Sequence, residues 1–458
     1  MMRRFDAIVI GAGQAGPSLA ARLTATGRKV ALIERKHVGG TCVNTGCMPT
    51  KAMVASAYAA HLARRGAEYG VVTGDIAIDF ARVMARKDKV RFDARKSNED
   101  WLEGMEGLTF IRGHARFESP TEIRVGDEIL SARQFFLNVG GRAVTPDFPG
   151  VADVPYLDNV SMMDLTEVPE HLIVVGGSYI GLEFAQMFRR FGSRVTVVEK
   201  GPRLIAREDE DISAAVRDIL EREGIAIRTG AQCIRFVRSG GGIGVGVDCA
   251  EGAPEIAGSH ILLATGRRPN TDDLGLDRAG IAVDQRGYIT VDERLETNVP
   301  GIFALGDCNG RGAFTHTSYN DFEIVAANLL DNEPRRVSDR IQTYALYIDP
   351  PLGRAGMSET EARRTGRKLL IGTRPMTRVG RAKEKGETLG FMKVIADADT
   401  QEILGAAILG TGGDEAVQSI LDVMYAGRPY TTITHAMHIH PTVSELIPTV
   451  FGEMRPAE

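Results

Sequence analysis

The chain has 458 residues, more than one hydrophobic core usually supports, so we expect two to three domains. Its net charge of −5 offers no basic surface for nucleic acid, and its hydrophobic content of 43% is that of an ordinary globular protein. No apolar run approaches the roughly 20 residues that span a bilayer. The amino terminus lacks a secretory signal pattern, which predicts a cytoplasmic protein. Taken with the charge and the short apolar runs, this predicts neither a nucleic-acid partner nor a membrane partner.

The first predicted unit is a strand, a glycine loop, a helix and a second strand in residues 7–35. Four apolar residues lead into Gly11, Gly13 and Gly16, which form a G-x-G-x-x-G pattern before a helical segment. The second strand ends at Glu34. The glycines allow a pyrophosphate to approach the helix N-terminus, and the acid accepts hydrogen bonds from ribose hydroxyls. The unit therefore predicts a dinucleotide site.

The same unit recurs in residues 172–200, at an offset of 165 residues from the first. Gly176, Gly181 and Glu199 occupy the positions that the offset predicts, and Ser178 replaces the middle glycine. Two copies imply two dinucleotides, with a looser pyrophosphate contact at the second. An acid at this strand end accepts from a free ribose 2′-hydroxyl and repels a 2′-phosphate, which favours NADH. The nearby basic residues that leave room for NADPH are Arg194, Lys200 and Arg203.

Two of the five cysteines, Cys42 and Cys47, lie close together in the stretch GGTCVNTGCMPTK, residues 39–51. In a reducing compartment, a pair of this kind is more often catalytic or metal-binding than structural. The alanine-rich span after Cys47 predicts a helix, and a thiol at a helix N-terminus has a lowered pKa. The other cysteines are isolated: Cys233, Cys249 and Cys308. A zinc site and a static disulfide stay open as alternatives.

The stretch GGTCVNTGCMPTK resembles the active-site signature of the pyridine nucleotide-disulfide oxidoreductases. This family includes dihydrolipoamide dehydrogenase, glutathione reductase and mercuric reductase. The resemblance covers nearly the whole chain and implies an α/β fold with two Rossmann-like dinucleotide-binding domains and a C-terminal α+β dimerisation domain. It implies an FAD-binding domain at 1–150 and 266–338, an NAD(P)H-binding domain at 151–265 and an interface domain at 339–458.

Three shorter motifs extend the resemblance. TNVPGIFALGDC resembles the second FAD motif, in which Asp307 would hold the ribityl chain. LLATGRRPN and NVGGRA resemble the linker motifs of the FAD domain, and they place Gly266 and Gly140 at the cofactors. In the interface domain, IQTYALYIDPPLGRAGMSETEAR resembles an opening strand and first helix. LGFMKVIADADTQEILGAAILG is typical of two strands joined by a turn.

The resemblance also assigns roles to the residues around the cysteines. Cys47 would face the flavin and Cys42 would be the interchange thiol. Lys51 would pair with Glu183 beside the flavin, although a surface lysine is the alternative. Tyr179 would be an aromatic gate that moves when the nicotinamide arrives, and a packed aromatic at a helix start is its alternative.

The segment HAMHIHPTVSELI contains His435, His438 and His440 among only nine histidines. A metal site and a buried core histidine are two interpretations, and we predict no metal site. HPTVSE resembles the family's acid–base dyad, in which His440 would move the proton of the interchange thiol and Glu445 would orient the imidazole. In the family this dyad comes from the partner subunit. The resemblance therefore implies a homodimer with each active site shared across the interface.

The prediction is an FAD-dependent NAD(P)H oxidoreductase. Hydride would pass from NAD(P)H to FAD, then to the Cys42–Cys47 redox disulfide, then to a small-molecule disulfide or metal-ion acceptor. The enzymatic alternatives are a mercuric or copper(II) reductase and an NADH oxidase or diaphorase; an FAD-bound redox sensor is the non-enzymatic one. No cysteine follows Cys308 to form the C-terminal pair of mercuric reductases. Residues 312–330 resemble a mercuric reductase-like bacterial branch that includes copper(II)-reducing flavoproteins of the reactive-chlorine response.

Overall fold

A computed structural model describes residues 2–239, 242–248 and 254–457, and Cys249 lies outside them. The amino-terminal strands are β1 (Met2–Arg4), β2 (Ala7–Ile10), β3 (Val30–Glu34), β4 (Leu108–Arg112), β5 (Ala115–Ser119), β6 (Glu122–Val125), β7 (Glu128–Ser131), β8 (Gln134–Leu137) and β9 (Gly141–Ala143). The helices of this part are α1 (Ala15–Ala25), α2 (Gly40–Thr45), α3 (Cys47–Arg64) and α4 (Phe80–Glu103). The predicted helix after the cysteine pair is thus confirmed, with Cys47 as its first residue.

The middle of the chain contains the second repeat and the return to the first sheet. Its strands are β10 (His171–Val175), β11 (Arg194–Val198), β12 (Ala226–Arg228), β13 (Gln232–Ser239), β14 (Gly242–Asp248), β15 (Glu255–Gly258), β16 (His260–Leu263), β17 (Arg267–Pro269) and β18 (Ile302–Ala304). Its helices are α5 (Tyr179–Phe191), α6 (Glu210–Arg222) and α7 (Thr315–Ala326).

Short strands of buried apolar residues build two parallel sheets. The first has the order β18-β8-β2-β3-β4 and the second the order β12-β11-β10-β16, with all neighbours parallel. Such strands are apolar throughout because parallel sheets are covered on both faces. Helices α1 and α5 connect the paired strands of the two repeats, as predicted. The glycine loops follow β2 and β10, at the carboxyl edge where open α/β sheets bind ligands.

The carboxyl-terminal part is an antiparallel sheet with short helices. Its strands are β19 (Thr343–Leu346), β20 (Leu352–Gly356), β21 (Leu369–Pro375), β22 (Phe391–Asp397), β23 (Ile403–Leu409) and β24 (Arg455–Pro456). Its helices are α8 (Glu359–Arg364), α9 (Gly380–Glu384), α10 (Gly413–Ala416), α11 (Gln418–Tyr425), α12 (Thr431–Thr434) and α13 (Ile447–Gly452). The sheet order is β19-β20-β23-β22-β21-β24, which confirms the predicted α+β class of this part.

Two expectations for this sheet have different outcomes. The strand pair with a connecting turn is confirmed as β22 and β23, which pair antiparallel. The opening segment, by contrast, forms the hairpin β19–β20 rather than a single strand. Pro350 and Pro351 separate its two apolar runs, and proline cannot donate to a ladder, so the chain turns there. Among the described residues, no helix combines the length and apolar character needed to cross a membrane.

Candidate active site

The two repeats have the same hydrogen bonds around their terminal acids. Glu34 accepts from the backbone N–H of Ala12 at 2.8 Å and of Lys36 at 2.8 Å. Glu199 accepts from Gly177 at 2.7 Å and from Gly201 at 2.6 Å. Each carboxylate therefore fastens the glycine loop to the end of the neighbouring strand. Since each oxygen has a second lone pair, both acids can still accept from ribose hydroxyls.

Glycine is required in the loops for steric reasons. Gly11 and Gly176 have φ values of 105° and 118°, in the left-handed region. A Cβ on Gly16 or Gly181 would lie 2.1 Å from the carbonyl oxygen of the first glycine of its own loop. Ser178 is exposed, and its side chain does not cap α5, so the substitution of the middle glycine fits without a clash.

The basic residues near Glu199 are placed differently from what the sequence suggested. Arg194 begins β11 while Glu199 follows its end, so five residue steps of ~3.3 Å each separate them along the strand. Arg194 pairs with Glu170 at 3.4 Å and lies at the opposite edge of the sheet from the glycine loop. Arg203 donates to the carbonyl oxygens of Ala206 at 3.3 Å and Glu208 at 3.2 Å. The expectation that Arg194 could accommodate a 2′-phosphate is therefore wrong.

The two linker motifs are neighbours in space. They form strands β9 and β17, which pair antiparallel with Arg267 opposite Ala143. Gly140 and Gly266 precede these strands, and each has a positive φ; apart from the chain neighbours, no atom of the described residues lies within 4 Å of where a Cβ would be. Both glycines therefore border open space.

Cys42 and Cys47 are both free, partly buried thiols. The Sγ atom of Cys47 lies 3.0 Å from Thr315 Oγ1, at the start of α7. Hydrogen bonds from Cys42 and Thr315, together with the charge of Lys51, lower the pKa of Cys47 to about 6 against the opposing effect of burial. The same bond to Cys47 and burial raise the pKa of Cys42 well above its ordinary value. The pair therefore holds one thiolate, at Cys47, and one protonated thiol.

Lys51 is in a partly buried ion pair rather than free on the surface. Its Nζ lies 2.7 Å from Glu183 Oε2, and the Glu183 side chain is only 7% exposed. The Tyr347 backbone N–H donates to Glu183 at 3.1 Å, and the Tyr347 ring lies 4.4 Å from Lys51 Nζ. These contacts bring α3, α5 and the segment after β19 together at the cysteine pair.

Tyr179 is the first residue of α5, and its ring packs against two other aromatic rings. The Phe314 centroid lies 6.0 Å away with the planes at 88°, and the Tyr344 centroid lies 5.4 Å away with the planes at 83°. The Tyr179 hydroxyl is buried, and the ring contacts with Phe314 and Tyr344 hold Tyr179 in place.

His440 and Glu445 form a dyad on the surface of the subunit. The imidazole Nδ1 lies 2.8 Å from Glu445 Oε2, and the side chain of His440 is 81% exposed. This exposure rules out a buried core histidine in the single subunit. No hydrogen bond joins His440 to either cysteine within the subunit. Across residues 2–239, 242–248 and 254–457, no group of three or more His, Cys, Asp or Glu side chains is arranged to hold a metal ion.

The first glycine loop fits the phosphates and polyol of a dinucleotide. Helix α1 begins without a side-chain cap, so its first N–H groups remain available to an anion. Asp307 follows β18, and burial raises the pKa of its carboxyl group. Its side chain meets Arg267 only at 3.5 Å, which leaves oxygen lone pairs for hydroxyl donors.

Three residues of the site were missed by sequence reasoning. Thr315 contacts Cys47 across 268 positions of sequence, and Tyr347 covers Lys51 from the last domain. Tyr344 contacts Tyr179 from the same segment. Phe314 and Thr315 fall in the stretch that resembles the mercuric reductase-like branch, which was the one signal that could have pointed to them.

The fold and the cysteine pair define an FAD-dependent oxidoreductase that takes electrons from NAD(P)H. The chain belongs to the pyridine nucleotide-disulphide oxidoreductase family, whose model matches residues 5–321 and whose dimerisation-domain model matches residues 343–451. The predicted family, fold class and enzyme class are confirmed. FAD and a pyridine nucleotide are its cofactors, and the chain carries the dimerisation domain of the family.

Several relatives cover nearly the whole chain. The probable pyridine nucleotide-disulfide oxidoreductase RclA of Escherichia coli is 36% identical over 98% of this chain and 99% of its own length. The dihydrolipoyl dehydrogenase of Thermus scotoductus is 33% identical (97% and 96%), and the mercuric reductase of Streptomyces lividans is 32% identical (97% and 94%). A solved structure, the Cu(II) complex of the HOCl-induced flavoprotein disulfide reductase RclA from Escherichia coli, matches with a TM-score of 0.90 and 35% identity, covering 98% of this chain and 99% of that chain.

In the reduced protein, we expect the most reactive thiol to titrate with a midpoint near pH 6. Cys47 is a thiolate above its pKa of about 6 and gains a proton below it, so its alkylation slows as the pH falls. The measurement is the rate of iodoacetamide labelling against pH, with the site identified by mass spectrometry. Thr315→Val should raise the midpoint, whereas Thr315→Ser should retain it. A midpoint near the ordinary cysteine value of about 8.5 would contradict the assignment.

Proposed function

We propose that the chain passes electrons from NADH to a thiol-reactive acceptor through Cys42 and Cys47. The observation that carries the proposal is the unequal acidity of the two thiols. The pKa of Cys47 is lowered to about 6, while that of Cys42 is raised. Cys47 is then the thiolate that faces the flavin, and Cys42 is the thiol that reacts with the acceptor after a base removes its proton.

The acceptor step balances as a thiol–disulfide exchange. The Cys42 thiolate attacks one sulfur of a disulfide, and the other sulfur leaves as a thiolate that takes up a proton. Cys47 then attacks the Cys42 sulfur of the mixed disulfide, which releases the second thiol and restores the Cys42–Cys47 disulfide. His440 removes the proton from Cys42 and returns it to the leaving thiolate, and Glu445 orients and stabilises the imidazolium.

When bound, FAD accepts a hydride from the nicotinamide and supplies two electrons to a disulfide. The first glycine loop would hold its pyrophosphate, Glu34 its ribose and Asp307 its ribityl chain. Lys51, which is positioned by Glu183, would hold the flavin, and its charge lowers the pKa of Cys47. The residues proposed to hold FAD are Gly11, Gly13, Gly16, Glu34, Lys51, Gly140 and Asp307.

The second loop binds NADH in preference to NADPH. Glu199 is held at the end of β11 by two backbone amides, where it accepts from a ribose 2′-hydroxyl and repels a 2′-phosphate. Arg194 lies too far from Glu199 to pair with the 2′-phosphate of NADPH, so one positive charge that could favour NADPH is missing from the site. The residues proposed for this nucleotide are Gly176, Tyr179, Gly181, Glu199 and Gly266.

We infer that the working enzyme is a cytoplasmic homodimer in which the dyad of one subunit serves the cysteines of the other. His440 is exposed in the single subunit, and the apolar side chains of Met437 and Ile439 beside it are exposed too. An exposed apolar segment of this kind is typical of a surface that a partner subunit covers. We propose that residues 1–150 and 266–338 bind FAD, residues 151–265 bind the nicotinamide nucleotide and residues 339–458 form the interface. Glutathione keeps other thiols reduced in the cytoplasm, so a redox pair there is functional rather than structural.

A metal ion is a second candidate for the acceptor, and one observation favours it. The similar RclA structure is a Cu(II) complex. Thiolates are soft ligands that prefer thiophilic ions such as Cu(I). Two Cu(II) ions would each take one electron, and the two thiolates would become the Cys42–Cys47 disulfide.

The test is an anaerobic titration of the purified holoenzyme with NADH, and in parallel with NADPH, followed by visible absorbance. We expect NADH to produce a long-wavelength charge-transfer band at two-electron reduction, from the Cys47 thiolate against the flavin. Lipoamide, glutathione disulfide, Hg(II) and Cu(II) are then compared as acceptors by turnover. Simple bleaching without the band would overturn the thiol route and favour a diaphorase. Faster reduction by NADPH would overturn the assigned nucleotide preference.

A further inference from the structure

The geometry points to Tyr344 and Glu208 as positioning residues for the Tyr179 gate, an inference that rests on the proposed binding of NADH. We define the latch as Tyr344, Glu208 and Arg354. Tyr344 lies on β19, Glu208 in the loop before α6 and Arg354 on β20. The latch thus joins the nucleotide-binding part of the chain to the carboxyl-terminal sheet.

The latch is buried and its polar groups are paired. The Tyr344 hydroxyl donates to Glu208 Oε1 at 2.6 Å. Arg354 donates to both oxygens of Glu208, through its Nε at 3.4 Å and through a shorter bond from Nη2. Glu208 and Arg354 are each only 1% exposed, and Tyr344 is 7% exposed. A buried carboxylate that is bound on both oxygens has a single well-defined position, and it fixes the Tyr344 ring in turn.

The fixed ring of Tyr344 holds Tyr179 in the closed position. The Tyr179 ring meets the Tyr344 and Phe314 rings edge-on. Phe314 and Tyr344 are themselves stacked, at 5.6 Å and 13°. Opening the gate therefore breaks the contacts that Tyr179 makes with the Tyr344 ring, so the population of the closed state depends on how firmly Tyr344 is held.

A cavity beside Tyr344 leaves space into which its ring can move. Tyr344 lines a cavity of about 340 Å³ whose walls also include Gln342, Arg203 and Arg207. A Tyr344 ring without its hydroxyl anchor can move toward this space. The closed state of Tyr179 then loses support, while the site that receives the nicotinamide is unchanged. The apparent affinity for the nucleotide is proportional to the fraction of molecules in which Tyr179 is open. A variant with a weakened latch has a larger open fraction, so it binds the nucleotide more tightly.

The experiment measures the affinity of the holoenzyme for NAD⁺ by isothermal titration calorimetry, a readout independent of turnover. Tyr344→Phe removes the hydroxyl, keeps the ring and leaves Glu208 paired with Arg354, so we expect the variant to fold. We expect its Kd for NAD⁺ to be about three- to tenfold lower than that of the wild type. Damage to the site would change the affinity in the opposite direction. The matched control Tyr58→Phe removes the hydrogen bond between Tyr58 and Glu387, which involves no residue of the latch, and should leave the Kd unchanged.

A double-mutant cycle decides whether the latch acts through the gate. In a Tyr179→Ala background, Tyr344→Phe should change the NAD⁺ affinity no further, because the residue it positions is gone. An equal effect in both backgrounds, or a Tyr344→Phe variant that binds NAD⁺ no more tightly than the wild type, would overturn the latch alone. A wild-type enzyme that neither binds NAD⁺ nor is reduced by NADH would overturn the proposed function, and the latch with it.

Discussion

Cys42→Ser abolishes reduction of disulfide acceptors while NADH still reduces the flavin; this is the largest effect we expect. The serine hydroxyl is not ionised near neutral pH, so the exchange step loses its nucleophile. The Cys47 thiol and the nucleotide sites are unchanged. We expect acceptor turnover to fall by about 10³-fold or more, as is typical when a nucleophile is removed. Stopped-flow reduction of the flavin by NADH and steady-state turnover with lipoamide separate the two half-reactions.

The control for this variant is Cys233→Ser, which removes an exposed thiol remote in sequence from the pair. It should retain wild-type turnover with every acceptor. If Cys42→Ser reduced all four acceptors at the wild-type rate, the electrons would bypass the cysteines. The oxidase or diaphorase interpretation would then replace the thiol route. Loss of flavin reduction as well would indicate that the variant is damaged, and flavin content together with the thermal unfolding midpoint would detect this.

The second large effect is expected for His440→Ala. Its acceptor turnover should fall about 10²- to 10⁴-fold, while NADH should still reduce the flavin. The raised pKa of Cys42 explains the requirement for a base, since the thiol that must attack the acceptor keeps its proton at neutral pH. Glu445→Gln should cause a smaller loss, because the amide still orients the imidazole but no longer stabilises its positive charge. His438→Ala removes a neighbouring histidine of the same segment and should be close to wild type.

Mixing subunits tests whether the dyad acts across the interface. Cys42→Ser and His440→Ala homodimers are each inactive, but a heterodimer contains one site with both residues intact and one site with neither. Random exchange of subunits gives half heterodimers, so about a quarter of the wild-type activity should return. No recovery, with subunit exchange verified by native mass spectrometry, would place His440 and Cys42 of the same subunit in one site.

Much of the site could be predicted from the sequence because its signals are local. The glycine loops, the terminal acids Glu34 and Glu199 and the Cys42–Cys47 pair each lie within one strand–loop–helix segment, whose backbone geometry demands particular residues. Thr315 and Tyr344 carry no such signal. Their contacts with Cys47 and Tyr179 join segments far apart in the chain, and a threonine or tyrosine at these positions would look the same on any surface.

Two sequence-based expectations, the position of Arg194 and the single opening strand of the last domain, were wrong for different physical reasons. Arg194 is five positions from Glu199 in sequence, but a strand rises about 3.3 Å per residue and therefore separates the two along the sheet. The opening segment of the last domain was expected to contain one strand, and the two prolines divide it into β19 and β20. Closeness along the chain does not imply closeness in space within an extended strand, and a pair of prolines marks a turn between two strands.

The sequence by itself determined the family, the two dinucleotide units and the position of the cysteine pair, because a phosphate-binding turn and a pair of nearby thiols are built within short segments. Only the tertiary structure decided how acidic each thiol is and what packs against Tyr179. The low pKa of Cys47 depends first on the hydrogen bond with Cys42 and then on Thr315, which comes from α7, and on Lys51. The position of Tyr179 depends on Tyr344 and, through it, on Glu208. These properties are sums of electrostatic and packing terms between distant segments, and they exist only after the chain has brought those segments together.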